Sequence, residues 1–130
     1  MAFTIENLRE IFSQGNFQEY VKRLKRIGVL AYDYDNRIGE YTFYGADGQQ
    51  LVIPSNGIHL EPVEKANTEA AQASVKKHQA HLTNFKEFAV EMAQAGIFSW
   101  ETNLEKLSTE YYNIRGETTY REIFASVFDD

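Results

Sequence analysis

Residues 16–28 read NFQEYVKRLKRIG and residues 84–96 read NFKEFAVEMAQAG. Each stretch opens Asn-Phe-x-Glu and closes on glycine. An asparagine with glutamate three residues later has capping-box spacing, in which both side chains accept from backbone amides that a helix start leaves without partners. Phe17, Tyr20, Val21, Leu24 and Ile27 then recur at 3.6-residue spacing, echoed by Phe85, Phe88, Ala89 and Met92, so each stretch is an amphipathic helix with one face in a core. Gly28 and Gly96 follow the last periodic residues, where a left-handed residue closes a helix at little steric cost.

The correspondence extends outward from these helices. A gap-free shift of 68 residues superposes 16–53 on 84–121 and pairs Asn16/Asn84, Phe17/Phe85, Glu19/Glu87, Gly28/Gly96, Tyr44/Tyr112 and Gly48/Gly116. Chance supplies about two such identities at average residue frequencies. After each glycine comes a run rich in β-branched and aromatic residues, 29–35 and 97–102, which reads as a strand. Alternation puts Leu30, Tyr32 and Tyr34 on one face with Phe98 and Trp100, and Ala31 and Asp33 on the other with Ser99 and Glu101. The large aromatics are expected to face the helices. Turns at 36–39 and 46–48 lead into strands at 40–44 and 50–53; in the second half, strands at 108–113 and 118–123 are joined by a turn around Arg115 and Gly116.

A further helical pattern precedes each capped helix: Ile5, Leu8 and Ile11 first, then an Ala-rich stretch from about residue 67 to 81. Residues 54–62, with prolines at both ends, are a linker. The expected fold is α+β: two helix-helix-β-meander repeats related by a pseudo-twofold, with an antiparallel sheet covered by helices on one side. Residues 1–130 form a single domain, with repeat one at 3–53, the linker at 54–66 and repeat two at 67–124.

Composition bounds the function. The chain has 130 residues, 43% of them apolar, and only two prolines, which is a globular composition. It has no cysteine, so neither disulfides nor thiolate chemistry arise. No leader pattern opens the chain and no apolar run approaches membrane-span length, which makes the cytoplasm the expected location. A net charge of −6 disfavours nucleic acid as a partner. The one basic group, Lys22, Arg23, Lys25 and Arg26, falls in the last turns of a helix, where cations complement the helix dipole.

His78 and His81 stand at i and i+3 and could share a metal, but no third ligand is near, and the metalloprotease spacing is not met. A calcium loop at Asp33, Asp35 and Asn36 fails because its sixth position is Ile38 and its twelfth Tyr44. Neither a phosphate loop nor a nucleophile elbow is present, and no cofactor is implied. Asp33 and Glu101 occupy equivalent positions, so a pseudo-twofold would bring their carboxyls together and raise the titration of one. Exposed strand carboxylates are the plain alternative. Tyr44 and Tyr112 are also equivalent and each follows an aromatic, Phe43 and Tyr111. One of each adjacent pair must therefore leave the helix-covered face.

His78-Gln79, Thr83-Asn84-Phe85 with Phe88, Ala95-Gly96-Ile97 with Trp100, Tyr111-Tyr112 and Gly116 together resemble a family of small bacterial proteins carried as a domain of unknown function and sometimes labelled phage-envelope-protein-like. In the first half the similar run is Gly28-Val29, Tyr32-Asp33-Tyr34, Tyr44-Gly45 and Gly48. Ala80-His81 departs from the family pattern. The resemblance implies domain limits and no activity.

These features point to a non-catalytic binding or protein-interaction module that uses an aromatic sheet face or the cleft between repeats. Its partner would be a second copy or another protein. The alternative is a small-ligand-binding protein or enzyme with a site at the repeat interface. The candidate residues are His78, Tyr44, Tyr112, Asp33, Glu101 and Trp100.

Overall fold

The computed structural model describes residues 3–13, 17–54, 57–80 and 82–124. Asn16, expected to cap the second helix, and His81 fall outside them, as do Ser55 and Asn56 of the connecting segment. In chain order the described elements are α1 (Ile5–Ser13), α2 (Phe17–Arg26), β1 (Val29–Asp35), β2 (Glu40–Gly45) and β3 (Gln50–Ile53). They are followed by α3 (Thr68–Gln79), α4 (Phe85–Gln94), β4 (Ser99–Asn103), β5 (Ser108–Tyr112) and β6 (Thr118–Ile123). The strands form one six-stranded sheet in the order β3-β2-β1-β4-β5-β6, with every neighbouring pair antiparallel.

The start of α4 shows why this segment is helical. The Asn84 side chain accepts from the Glu87 amide at 2.8 Å, and the Glu87 carboxylate accepts from the Asn84 amide at 2.9 Å. At its other end, the Gly96 amide donates to Ala93 O at 3.1 Å and the Ile97 amide to Met92 O at 2.9 Å. This is a Schellman closure, completed by Met92 and Ile97 in one apolar cluster. Gly96 takes φ +80° to make it. Gly28, at φ +99°, likewise ends α2, its amide donating to Lys25 O at 3.2 Å.

The helices bury their apolar faces against one side of the sheet. Leu8, Val21 and Leu24 pack on Val29, Tyr32 and Phe43. Val75, Phe88 and Met92 pack on Tyr34, Trp100 and Tyr111. The two clusters interlock, because Tyr34 of β1 lies in the second, Leu104 from the β4–β5 turn lies in the first, and Tyr41 packs against both.

Two details depart from the sequence reading. Leu30 is exposed rather than inward, because the β1–β2 register shifts between Val29 and Ala31, and the bulge turns Leu30 away from the core. Asn36, read as the first residue of a hairpin turn, is fully buried. Its amide side chain donates to Ala89 O at 3.1 Å and Ile97 O at 3.2 Å, tying the end of β1 to the middle of α4 and to the α4–β4 connection.

Candidate functional site

The sheet divides the candidate residues into two groups. Asp33, Tyr44, Glu101 and Tyr112 project from the face opposite the helices, half-buried. Trp100 and His78 lie on the helix side. A single site uniting His78 with Asp33, Glu101, Tyr44 and Tyr112, as the enzyme alternative requires, is therefore not assembled: adjacent strand residues point to opposite faces, and α3 covers only one of them.

On the open face, strand register sets Thr42, Asp33, Glu101, Glu110 and Arg121 side by side in one row across β2, β1, β4, β5 and β6. Three carboxylates thus stand in successive cross-strand positions. Like charges placed opposite one another in a sheet are destabilising. Two tyrosines flank the row. Tyr44 Oη donates to Asp33 Oδ2 at 2.7 Å and Tyr112 Oη to Glu110 Oε2 at 3.1 Å. Each phenol is pushed up to about 12, Tyr44 first through its bond to Asp33 and Tyr112 first through burial and then through the Glu101 charge. Glu110 is not among the residues picked out from sequence. Its place beside Glu101 depends on a β4–β5 turn in which Asn103 Oδ1 accepts from the Glu105 and Lys106 amides, at 2.9 and 2.8 Å, and Leu107 takes φ +57°.

The Glu101 carboxyl is held above the ordinary glutamate range, first by burial and then by the charges of Asp33 and Glu110. The folded protein therefore keeps this proton to a higher pH than the unfolded chain does. The stability associated with protonated Glu101 is present below the unfolded value, about 4.3, and is lost as pH rises through the folded value. Glu101→Gln should accordingly raise stability at pH 7 by about 0.2–1 kcal/mol, a cross-strand magnitude moderated by solvent screening. At pH 3, where Glu101 is itself protonated in the folded and the unfolded chain, it should change little. Urea unfolding at the two pH values measures the difference.

On the helix side, a cavity of about 30 Å³ lies between the helix layer and the sheet. Its walls include Tyr20 of α2, Val75 and His78 of α3, Phe88 of α4, Trp100 of β4 and Tyr111 of β5. A chain of hydroxyls crosses it, Tyr20 to Tyr32 to Thr102 to Thr109, with the last link at 2.8 Å. Burial raises the phenols of Tyr20, Tyr32, Tyr41 and Tyr111. His78 stacks on Phe88 with ring centroids 4.4 Å apart, and its Nδ1 lies 3.1 Å from Thr83 O. Thr83 Oγ1 lies 3.2 Å from the same nitrogen, so the tautomer decides which of the two contacts is the hydrogen bond. Among the described residues no group of three or more His, Asp or Glu is arranged to hold a metal ion, and no helix is long and apolar enough to cross a membrane.

No curated protein matches the chain. A family model described as a protein of unknown function, DUF1398, matches residues 6–123, which is nearly the whole length. With its helix pairs, its six antiparallel strands and this extent of match, the chain belongs to the DUF1398 family of proteins of unknown function.

Proposed function

We propose that this protein is a non-catalytic binding module whose helix-free sheet face docks a cationic segment of a partner protein. One observation carries the reading: Asp33, Glu101 and Glu110 stand in consecutive register on that face, against the cost of their mutual repulsion. Residues that lower stability and serve no packing role are those a binding surface retains. Tyr44 and Tyr112 supply flat amphipathic area beside the charges, the kind of side chain that anchors interfaces. Glu40, opposite Asp35 in the β1–β2 register, extends the negative surface, while Asp35 itself pairs with Arg37 at 3.3 Å.

The charge also selects the partner. Two copies meeting through this face would oppose three carboxylates from each, and nucleic acid would be repelled in the same way. A lysine- or arginine-rich segment is complementary.

The site's symmetry supports a duplicated origin and one shared folding unit. Under the 68-residue correspondence, the β1–β4 ladder maps onto itself: Asp33↔Glu101 exchanges its own partners, and Tyr32↔Thr102 becomes Tyr34↔Trp100. A pseudo-twofold axis between Asp33 and Glu101 follows from that reading.

An octa-arginine peptide titrated into labelled protein provides the test. At about 0.01 M salt, where charges act over about 30 Å, amide shifts should concentrate on Asp33, Tyr44, Glu101, Glu110 and Tyr112, and at about 1 M salt, where the range is about 3 Å, they should fade. Shifts centred on the exposed carboxylates Glu61 and Glu64 instead would contradict the assignment.

A further inference from the structure

We propose that a groove at one end of the sheet is an interface through which two copies of this chain pair about a twofold axis. The proposal is independent of the acidic row on the open face, none of whose residues lines the groove.

Strand register builds the groove. Asp35 pairs with Ser99 and Ser99 with Tyr112, which sets the β1–β2 turn, the entry to β4 and the β5–β6 turn at the same end of the sheet. Together with the segment at 59–64 they enclose about 500 Å³, with Leu60, Phe98 and Ile114 as apolar lining. The walls are already fixed. The Leu60 amide donates to Arg37 O at 3.3 Å and the Val63 amide to Ala93 O at 3.0 Å, which seats the connecting segment on the turn and on α4. In the β5–β6 turn, Asn113 Oδ1 accepts from the Arg115 and Glu117 amides at 2.9 and 3.0 Å, so Ile114, 49% exposed, is held out on a closed turn. A projecting isoleucine beside an open apolar groove is a knob and a hole on one surface. A twofold axis sets each knob in the other copy's hole, as an isologous interface requires, and no segment has to be ordered first.

The charges at the rim select a second copy as the occupant. Asp35 Oδ2 accepts from the Arg37 guanidinium at 3.3 Å, and the guanidinium carbon stands 5.6 Å from the centre of the Phe98 ring. That leaves Arg37 with donors to spare. Glu61 and Glu64 have no ion-pair partner among the described residues. Within one copy, a cation and two unpaired carboxylates thus rim the same groove without meeting. The twofold brings Arg37 of each copy toward Glu61 and Glu64 of the other, and every such contact forms twice. A purely cationic segment would meet Arg37, and a neutral guest would leave all three charges unused. The open face repels its own copy; this surface, bearing both signs, is self-complementary.

Sedimentation equilibrium at about 0.15 M salt, where exposed charges act over about 8 Å, tests the pairing. The unaltered protein should pass from one chain mass to two with a dissociation constant between about 1 µM and 1 mM. Ile114→Arg, on an exposed turn, should stay folded by circular dichroism and raise that constant about tenfold or more. Arg37→Glu and Glu61→Arg/Glu64→Arg should each do the same alone, because like charges then face each other across the axis. An equimolar mixture of these two variants should restore the pairing, since every facing couple is then of opposite sign. Net charge alone predicts the reverse for Glu61→Arg/Glu64→Arg, which carries less of it than the unaltered chain. Should Arg37→Glu fail to fold, the other two variants decide. The proposal is overturned by a monomer throughout that range, by any of the folded variants alone pairing as tightly as the unaltered protein, or by a mixture that pairs no more tightly than its components.

Discussion

Replacement of Trp100 by alanine is expected to lower folding stability by about 3–5 kcal/mol, the range for emptying a large aromatic from a packed core. Only 4% of Trp100 is exposed, and its ring lies 4.9 Å from Tyr34 and 6.4 Å from Phe85 as well as against Phe88 and Tyr111. These neighbours come from β1, α4 and β5, so removal of the indole loosens the place where the sheet's central strands meet the second helix pair. The surrounding rings are rigid and tied to three different elements, which limits collapse into the void. Urea unfolding followed by far-ultraviolet circular dichroism measures the loss. A cost below about 1 kcal/mol is what a surface position would show, and it would contradict the packing described here.

Gly96→Ala is the second large effect. Gly96 sits at φ +80°, where an L side chain costs roughly 1–2 kcal/mol. An added Cβ would also stand 2.6 Å from Ala66 Cα and 2.7 Å from Lys65 O. Those atoms are backbone, and the segment that carries them is fastened at both sides, Val63 donating to Ala93 O at 3.0 Å and Asn67 to Ala95 O at 2.8 Å. It cannot retreat without breaking the bonds that seat it on the end of α4. Conformational strain and overpacking together give an expected loss of about 2–5 kcal/mol. Gly116 is the control: it has φ +77° but nothing within 4 Å of an added Cβ. Gly116→Ala should therefore show only the conformational part, about 1–2 kcal/mol. Equal losses at the two positions would mean that the close approach at Gly96 is relieved at no cost.

Much of this fold was legible because its signals are local. The cap at Asn84, the glycine closures at Gly28 and Gly96, and the alternation that sends Tyr32, Tyr34 and Trp100 inward depend on neighbours a few residues away. What escaped depends on distant ones. Asn36 looks like a hairpin residue until its acceptors, 53 and 61 residues along the chain, are in place. Leu30 matches the alternation and leaves it through a bulge that no residue type in the stretch announces. Glu110 acquires its position from the register of a hairpin, so Asp33 and Glu101 suggested a carboxylate pair where the structure holds a row of three. His78 was grouped with the carboxylates because both fell near the expected junction of the two halves. The sheet lies between them, and only the placement of α3 on one side reveals it. The hydroxyl chain behind Trp100 was likewise invisible, since it joins residues of four separate elements.

The docking account rests on charge placed at one spot, and peptide binding by a charge-neutralised face tests it most directly. In Asp33→Asn/Glu101→Gln, octa-arginine should bind about tenfold more weakly at low salt, the sum of a few exposed pair interactions, while stability holds or rises. Glu61→Gln/Glu64→Gln, which removes equal charge from the segment between β3 and α3, should bind as the unaltered protein does. Undiminished binding to the Asp33→Asn/Glu101→Gln protein, or equal loss in both, would contradict the account.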